Sequence, residues 1–352
     1  MVYINARFLT QPITGVQRYS IEISKQLKTL LPNCRFIAPH NIIHSDLARE
    51  LQVEVVGTRT GHLWEQLDLP RFLKKQGTPL LVNLANTAPL FYNNKFVTLH
   101  DVAFVRYPES FSRAFRLAYQ MMTPRTLRSA LQIITVSEFS KSEICSLYNI
   151  PEDKVTVIYN AVSDVFTRGV QDPQATAPKA PYIMAVSSIN KQKNFQGLIE
   201  AFSELKQTSH QLYIVGSLNK NFSDPGLLEK ITADPRIKLL GRVSDPELAE
   251  LYRHAMAFVY PSFYEGFGIP PLEAQACGCP VIVSNVASLP EVCADSALYC
   301  SPFAVADIAA KINTLIDEPQ LAAPLIEKGY HNISRFSWAS SAAKLSHLIQ
   351  EL

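Results

Sequence analysis

Nowhere does the sequence hold a run approaching ~18 uninterrupted apolar residues, which excludes a membrane-spanning helix. Its first residues, Met1-Val2-Tyr3-Ile4-Asn5-Ala6-Arg7, lack the basic region and following apolar core of an export signal. A cytoplasmic protein is therefore expected, with peripheral attachment at the inner face of a membrane left open. The six cysteines form no Cys-x-x-Cys pair and have no histidine at ligand spacing, which argues against structural zinc, and no metal site is expected. Cys277 and Cys279 flank Gly278 beside an apolar strand and are expected as small buried thiols. A tight basic run and any known reader motif are also missing, which removes nucleic acid from the partners. Net charge is slight, 33 Lys and Arg against 31 Asp and Glu.

What is present suits two domains of ordinary size in 352 residues. The charge is unevenly shared: 19 Lys and Arg against 13 Asp and Glu up to Val170, and 14 against 18 beyond it. A basic first half suits an anionic partner such as lipid headgroups or a lipid-diphosphate acceptor. Short apolar strands alternate with helical patterns in both halves, as in doubly wound α/β domains. Phe96–Leu99 and Ile133–Val136 read as strands of the first half, and Gln17–Leu30 as a helix. The first domain is expected over 1–167 and a Gly, Pro, Gln and Ala linker over 168–180. The second domain, 181–336, carries strands Pro181–Val186, Gln211–Val215, Ile237–Leu240, Ala257–Tyr260 and Pro280–Val283. The tail 337–352 spaces Trp338, Ala342, Leu345 and Ile349 on one helical face and is expected to rejoin the first domain. Two similar domains around a central cleft are implied.

The most informative stretch is Tyr260-Pro261-Ser262-Phe263-Tyr264-Glu265-Gly266-Phe267-Gly268-Ile269-Pro270-Pro271-Leu272-Glu273. Gly266 and Gly268 permit positive φ and close approach of a ligand to the backbone. Pro270 and Pro271 suit a helix start, whose N–H groups and positive dipole end would face a diphosphate. Glu265 before the turn and Glu273 in the first helical turn can bracket one elongated ligand. On residue types alone, a Glu there serves equally as a helix cap, and Gly-x-Gly turns occur without ligands. His100 and Asp101 fall directly after a strand, where His100 can donate to a sugar hydroxyl or stabilise developing charge and Asp101 can orient it; an isolated histidine is as readily structural. Gly15 lies between the first strand and a helix, near Arg18, where it allows close approach to a helix N-terminus that faces anions, and Lys193 sits at a turn before another helix. Phe111, Phe115 and Tyr119 recur at four-residue spacing within Phe111–Met122, with Arg113 and Arg116 on other faces. The segment suits core packing or a membrane and lipid-acceptor contact.

Glu265, seven residues, Glu273, with Gly266-Phe267-Gly268 inside and Ala276-Cys277-Gly278-Cys279-Pro280-Val281-Ile282 after it, resembles the signature of family 4 glycosyltransferases. His100-Asp101, Gly15-Val16-Gln17-Arg18-Tyr19, Lys193-Asn194, Ser137-Glu138-Phe139-Ser140, Tyr159-Asn160-Ala161-Val162, Leu240-Gly241-Arg242-Val243 and Leu289-Pro290-Glu291-Val292 are similar to further elements of that family, over about Gly15 to Trp338. Ser187, Ser188 and Gln192 depart from Gly or Arg in the family's pattern, and Ala161 from Gly. The resemblance implies the GT-B fold, two Rossmann-like domains facing a cleft. It also implies a retaining, metal-independent transferase without a cofactor, as the missing Asp-x-Asp cluster agrees. The donor would be a nucleotide diphosphate sugar. GDP-mannose is preferred because the His-Asp and Gly15 segments look like bacterial polysaccharide mannosyltransferases, with UDP-sugars and a deoxysugar donor left open. The acceptor would be a saccharide or lipid-linked oligosaccharide of surface polysaccharide synthesis. By the same resemblance His100, Glu265 and Lys193 serve catalysis, Glu265 holding the sugar and Lys193 the leaving diphosphate. Gly15, Ser188, Gly266, Phe267, Gly268 and Ile269 line the donor, Glu273 holds the ribose, and Arg242 lies near the base. A noncatalytic bilobed binding protein would share the architecture but needs an export signal.

Overall fold

Val, Ile, Leu and Phe fill the strands on both faces, as strands of a parallel sheet covered by helices require. In the computed structural model, which describes residues 1–167, 181–205, 209–216 and 225–351, thirteen strands form two such sheets. Seven build the first: β1 (Val2–Asn5), β2 (Cys34–Ala38), β3 (Glu54–Val55), β4 (Leu80–Asn83), β5 (Lys95–Thr98), β6 (Gln132–Thr135) and β7 (Val155–Val157). Six build the second: β8 (Tyr182–Val186), β9 (Gln211–Val215), β10 (Ile237–Gly241), β11 (Ala257–Tyr260), β12 (Val281–Ser284) and β13 (Leu298–Cys300). All neighbours pair in parallel. The orders are β3-β2-β1-β4-β5-β6-β7 and β10-β9-β8-β11-β12-β13, so each sheet reverses direction of growth once, at β1/β4 and at β8/β11. Such a switch point leaves a crevice outside the carboxyl ends of the two strands, where α/β proteins take ligands.

The chain divides into two units: Met1–Val105, Arg113–Asn160 and Ser337–Leu352 in one, Arg106–Ser112 and Ala161–Phe336 in the other. In the first, the helix Gly15–Leu30 packs on the C-terminal helix Trp338–Gln350, which buries Trp338, Ala342, Leu345 and Ile349. In the second, the helices Phe195–Glu204 and Val305–Asp317 pack together over a core of Ile183, Leu198, Phe202, Ile214, Val259 and Ile312. Ala161–Thr167, read from sequence as first-domain chain, folds with the second unit. Phe166 packs its ring against Tyr252 at 6.1 Å, and its carbonyl accepts from the Cys277 thiol at 3.6 Å. Arg106–Ser112 does the same through Tyr107, whose ring stacks on Phe263 at 6.3 Å. The expected linker 168–180 lies outside the described residues. Cys277 and Cys279 are buried thiols, and burial pushes the Cys277 pKa up to about 12.

Candidate active site

The second unit's switch point is assembled by side chains that stitch the loop after β8 to the loop after β11. Asn190 caps a short 3-10 helix, Lys191–Lys193, by accepting from Lys193 N–H at 3.2 Å. Asn194 then takes a left-handed φ of +54° and caps the next helix, accepting from Gly197 N–H at 3.2 Å. Its Nδ2 donates to Pro261 O at 3.1 Å and Pro302 O at 2.8 Å. Gln192 is buried and donates from Nε2 to Tyr264 O at 2.7 Å, while its own carbonyl accepts from Phe263 N–H at 2.9 Å. These bonds bring Lys193 Nζ to 2.7 and 2.8 Å from the two oxygens of Glu265 and 3.4 Å from Tyr260 Oη. Burial opposes the ammonium charge, yet the Glu265 carboxylate and the Tyr260 hydroxyl outweigh it and raise the Lys193 pKa. Lys193 and Glu265 thereby neutralise each other.

Beyond this pair the turn is held by its carbonyls. Ser288 Oγ lies 2.9 Å from both Glu265 O and Phe267 O, and Ser284 Oγ donates to Ser262 O at 2.6 Å. Gly268 takes φ +95°, and a Cβ there would lie 2.7 Å from Leu289 Cδ2. Gly266, which could also have taken a positive φ, stays outside the left-handed region. The helix begins at Ile269 with no side-chain cap. Of the four N–H groups a helix start leaves unpaired, Pro270 and Pro271 remove two, so the expected anion cradle reduces to Gly268 N–H, Ile269 N–H and the dipole. Glu273 is the fifth residue of this helix, just past the first turn in which it was expected. It is buried, and after burial itself its charge is the next cause raising the Tyr252 pKa. Phe267 is buried with its ring edge-on to Phe336 at 5.4 Å. Ser188 and Arg242 are exposed; Arg242 follows β10 at the edge of the sheet, two strands from β8.

In the first unit His100 follows β5. Its Nε2 lies 3.1 Å from Leu84 O, its backbone N–H donates to Asn86 Oδ1 at 2.9 Å, and the Tyr19 ring meets it edge-on at 4.9 Å. Burial pushes its pKa down to about 4, against the Leu84 contact, so the ring is neutral at pH 7 with its proton on Nε2. The expected roles of hydroxyl donor and charge stabiliser give way to one: Nδ1 can only accept. Leu84 and Tyr19 hold the ring in place, and Asp101 Oδ1 accepts from Ala103 N–H at 2.9 Å. Gly15 is itself the first residue of its helix, two residues before the expected start at Gln17, behind a Thr14–Gln17 capping box that already serves the helix start. The segment Phe111–Met122 is not one helix, because Phe111 precedes the helix Arg113–Ser129. Phe115 and Tyr119 stack at 4.0 Å, Arg116 is half-buried, and the exposed face is Arg113, Leu117, Met121 and Arg125.

Sequence reasoning missed a polar cluster at the first switch point. Asn5 and Asn83, the register partners that end β1 and β4, are joined by Asn5 Nδ2 donating to Asn83 Oδ1 at 3.0 Å. Glu65 Oε1 accepts from Asn5 Nδ2 at 3.0 Å and Arg7 Nε at 3.1 Å, and Arg7 Nη2 donates to Thr87 Oγ1 at 2.7 Å. The only local signal was Asn5-Ala6-Arg7 at the carboxyl end of a strand.

Residues 13–166 match the family described as Glycosyltransferase Family 4, and residues 170–332 match glycosyl transferases group 1. The chain is 30% identical over 361 residues to the O-antigen chain mannosyltransferase B of Escherichia coli, covering 93% of each chain. It is 29% identical to the O-antigen chain mannosyltransferase RfbU of Salmonella typhimurium, covering 85% of this chain and 86% of that one. Among solved structures, HepE of Anabaena in complex with UDP and glucose superposes with a TM-score of 0.77 at 20% identity, over 100% of this chain and 99% of the other. Two parallel sheets of this order, the paired Lys193 and Glu265 at a switch point and these matches together make the chain a member of the family 4 glycosyltransferases, with the GT-B fold.

Proposed function

We propose that the protein is a retaining mannosyltransferase that moves mannose from GDP-mannose to a saccharide or lipid-linked oligosaccharide in the synthesis of an O-antigen-like surface polysaccharide. The observation that carries the donor site is the Lys193–Glu265 pair at the β8/β11 switch point; the choice of mannose rests on the two O-antigen mannosyltransferases above. In this reading the arriving diphosphate takes Lys193 from Glu265. The freed carboxylate accepts from mannose hydroxyls, and Gly268 N–H, Ile269 N–H and the helix dipole face the phosphates. Glu273 accepts from ribose hydroxyls. The bond from the anomeric carbon to the diphosphate oxygen breaks. The acceptor oxygen bonds to the same face of that carbon, and its proton passes to the departing phosphate. Lys193 balances the charge left on that phosphate, so no metal ion is required.

No helix among the described residues is long and apolar enough to cross a membrane. A cytoplasmic protein resting on the inner face through Arg113, Leu117, Met121 and Arg125 fits a lipid-linked acceptor. Incubation of the purified protein with radiolabelled sugar nucleotides, with and without saccharide acceptors, tests the assignment. Transfer from GDP-mannose with an α-linked product is expected; transfer from UDP-sugars alone, or an inverted anomer, overturns it.

A further inference from the structure

Taking a carboxylate and a guanidinium out of water costs several kcal/mol each, so a buried ion pair at a sheet's ligand-taking edge points to a task beyond stability. Glu65 is 1% exposed and Arg7 7%. Glu65 belongs to a π-helical turn, Trp64–Asp68, in which Leu69 N–H reaches back to Trp64 O; such turns concentrate at functional positions. Its neighbours leave it no freedom. Trp64 Nε1 donates to Val56 O at 2.6 Å, Gln66 Nε2 donates to Ala88 O at 3.0 Å, and Asp68 accepts from Thr58 and Arg59 N–H at 3.0 and 2.9 Å. Burial favours the neutral acid, but the Arg7 guanidinium, joined by Thr87 and by His62, whose Nδ1 lies 3.5 Å from Oε2, holds the Glu65 pKa down at about 2. Arg7 is thereby clamped through Nε and Nη2, while Nη1 makes no hydrogen bond to a described residue. The charges of Arg7 and Glu65 both act on the Tyr119 phenol, whose ring stacks on Phe115 at 4.0 Å and meets Phe104 at 5.4 Å.

We propose that Arg7 Nη1 and the Tyr119 phenol form the subsite that recognises hydroxyls of the acceptor's terminal hexose, with Glu65 and Thr87 as residues that position Arg7. The inference rests on the proposed reading of the protein as a saccharide-extending transferase and names the acceptor side of it. Glu65 offsets the Arg7 charge, which disfavours a phosphate as occupant and suits a neutral hydroxyl. The rigid guanidinium fork supplies direction and the aromatic ring supplies an apolar face.

Saturation-transfer NMR with methyl α-mannoside and an α-linked mannotriose, in the presence of GDP, reads saccharide contact without requiring turnover. The parent protein should show contact, and Arg7→Lys and Tyr119→Phe should each weaken it about tenfold while leaving GDP affinity unchanged by calorimetry. Glu65→Gln should raise the acceptor KM without moving the donor KM. Tyr119→Phe removes a single hydroxyl, which keeps the test available where an Arg7 variant fails to fold. Contact that is indifferent to both substitutions, that disappears in Lys193→Ala instead, or that is absent from the parent overturns the proposal. A parent that turns over no sugar nucleotide yet binds mannotriose through Arg7 overturns the proposed reaction and supports the subsite.

Discussion

Lys193 and Glu265 show how one contact changes the meaning of two residues. Each, taken alone, is a ligand group; together they form a pair with side chains 16% and 9% exposed, which the donor has to open. Lys193→Ala should therefore do two separable things. It should lower GDP affinity more than tenfold, because a charge-assisted contact of roughly 1.5 to 3 kcal/mol is lost. It should also destabilise the fold by about 3 kcal/mol, since Glu265 is left as an uncompensated charge. The double variant Lys193→Ala, Glu265→Gln should regain much of the urea midpoint and none of the affinity; equal loss of both in the double variant would refute the pairing as the cause. His100 makes a second prediction, with a pH sign. Its folded pKa, about 4, lies below the ordinary 6.5, so its contribution is fully present above pH 6.5 and is lost as pH falls toward 4, where only the unfolded chain takes the proton. Over that window the loss is about 3 kcal/mol. The difference in stability between parent and His100→Gln, followed by urea denaturation from pH 7 to 4.5, should shrink accordingly; a constant difference would show that the imidazole is not held neutral.

At the scale of elements, the start of the helix Ile269–Ala276 carries the sharpest constraint. Two prolines set its first turn, and Gly268 makes the left-handed bend that leads into it. Gly268→Ala combines backbone strain with a Cβ placed 2.7 Å from Leu289 Cδ2, whereas Gly241, at φ +71°, has open space around it. Gly241→Ala should cost about 1 kcal/mol of backbone strain, and Gly268→Ala more than that together with several-fold weaker GDP binding. Thermal midpoints and calorimetry on the two variants measure the difference; equal effects would mean that Leu289 gives way. The helix Arg113–Ser129 carries the membrane prediction, now with Arg125 in place of the half-buried Arg116. Arg113→Gln with Arg125→Gln should lower cosedimentation with anionic vesicles at low salt and leave nucleotide affinity alone, since each basic residue contributes about 1 kcal/mol near such a surface. Binding by the parent should itself fade as salt shortens the screening length to about 8 Å.

For the molecule as a whole, charge balance on the leaving diphosphate is assigned to Lys193, two backbone N–H groups and a helix dipole, all within the second unit. Turnover should therefore survive EDTA. Activity that vanishes in chelator and returns in proportion to added manganese or magnesium would overturn that assignment.

The sequence by itself determined the local order: apolar runs at Ala257–Tyr260 and Gln211–Val215 are the strands β11 and β9, and the spacing of Trp338, Ala342, Leu345 and Ile349 is the buried face of a helix. Three-residue β13 and two-residue β3 left too little periodicity to read. The family was legible as well, because Glu265 to Glu273 is a contiguous motif whose chemistry needs neighbours in the chain. Only the tertiary structure decided what those groups do. It set Lys193 against Glu265 across 72 residues, turned His100 into an acceptor through the carbonyl of Leu84, and closed Glu65 over Arg7 across 58. Periodicity and turn chemistry act over a few residues and are written locally. Protonation, pairing and the direction of a hydrogen bond depend on burial and on partners that the strand order brings to the same edge of a sheet, and no stretch of chain records that on its own.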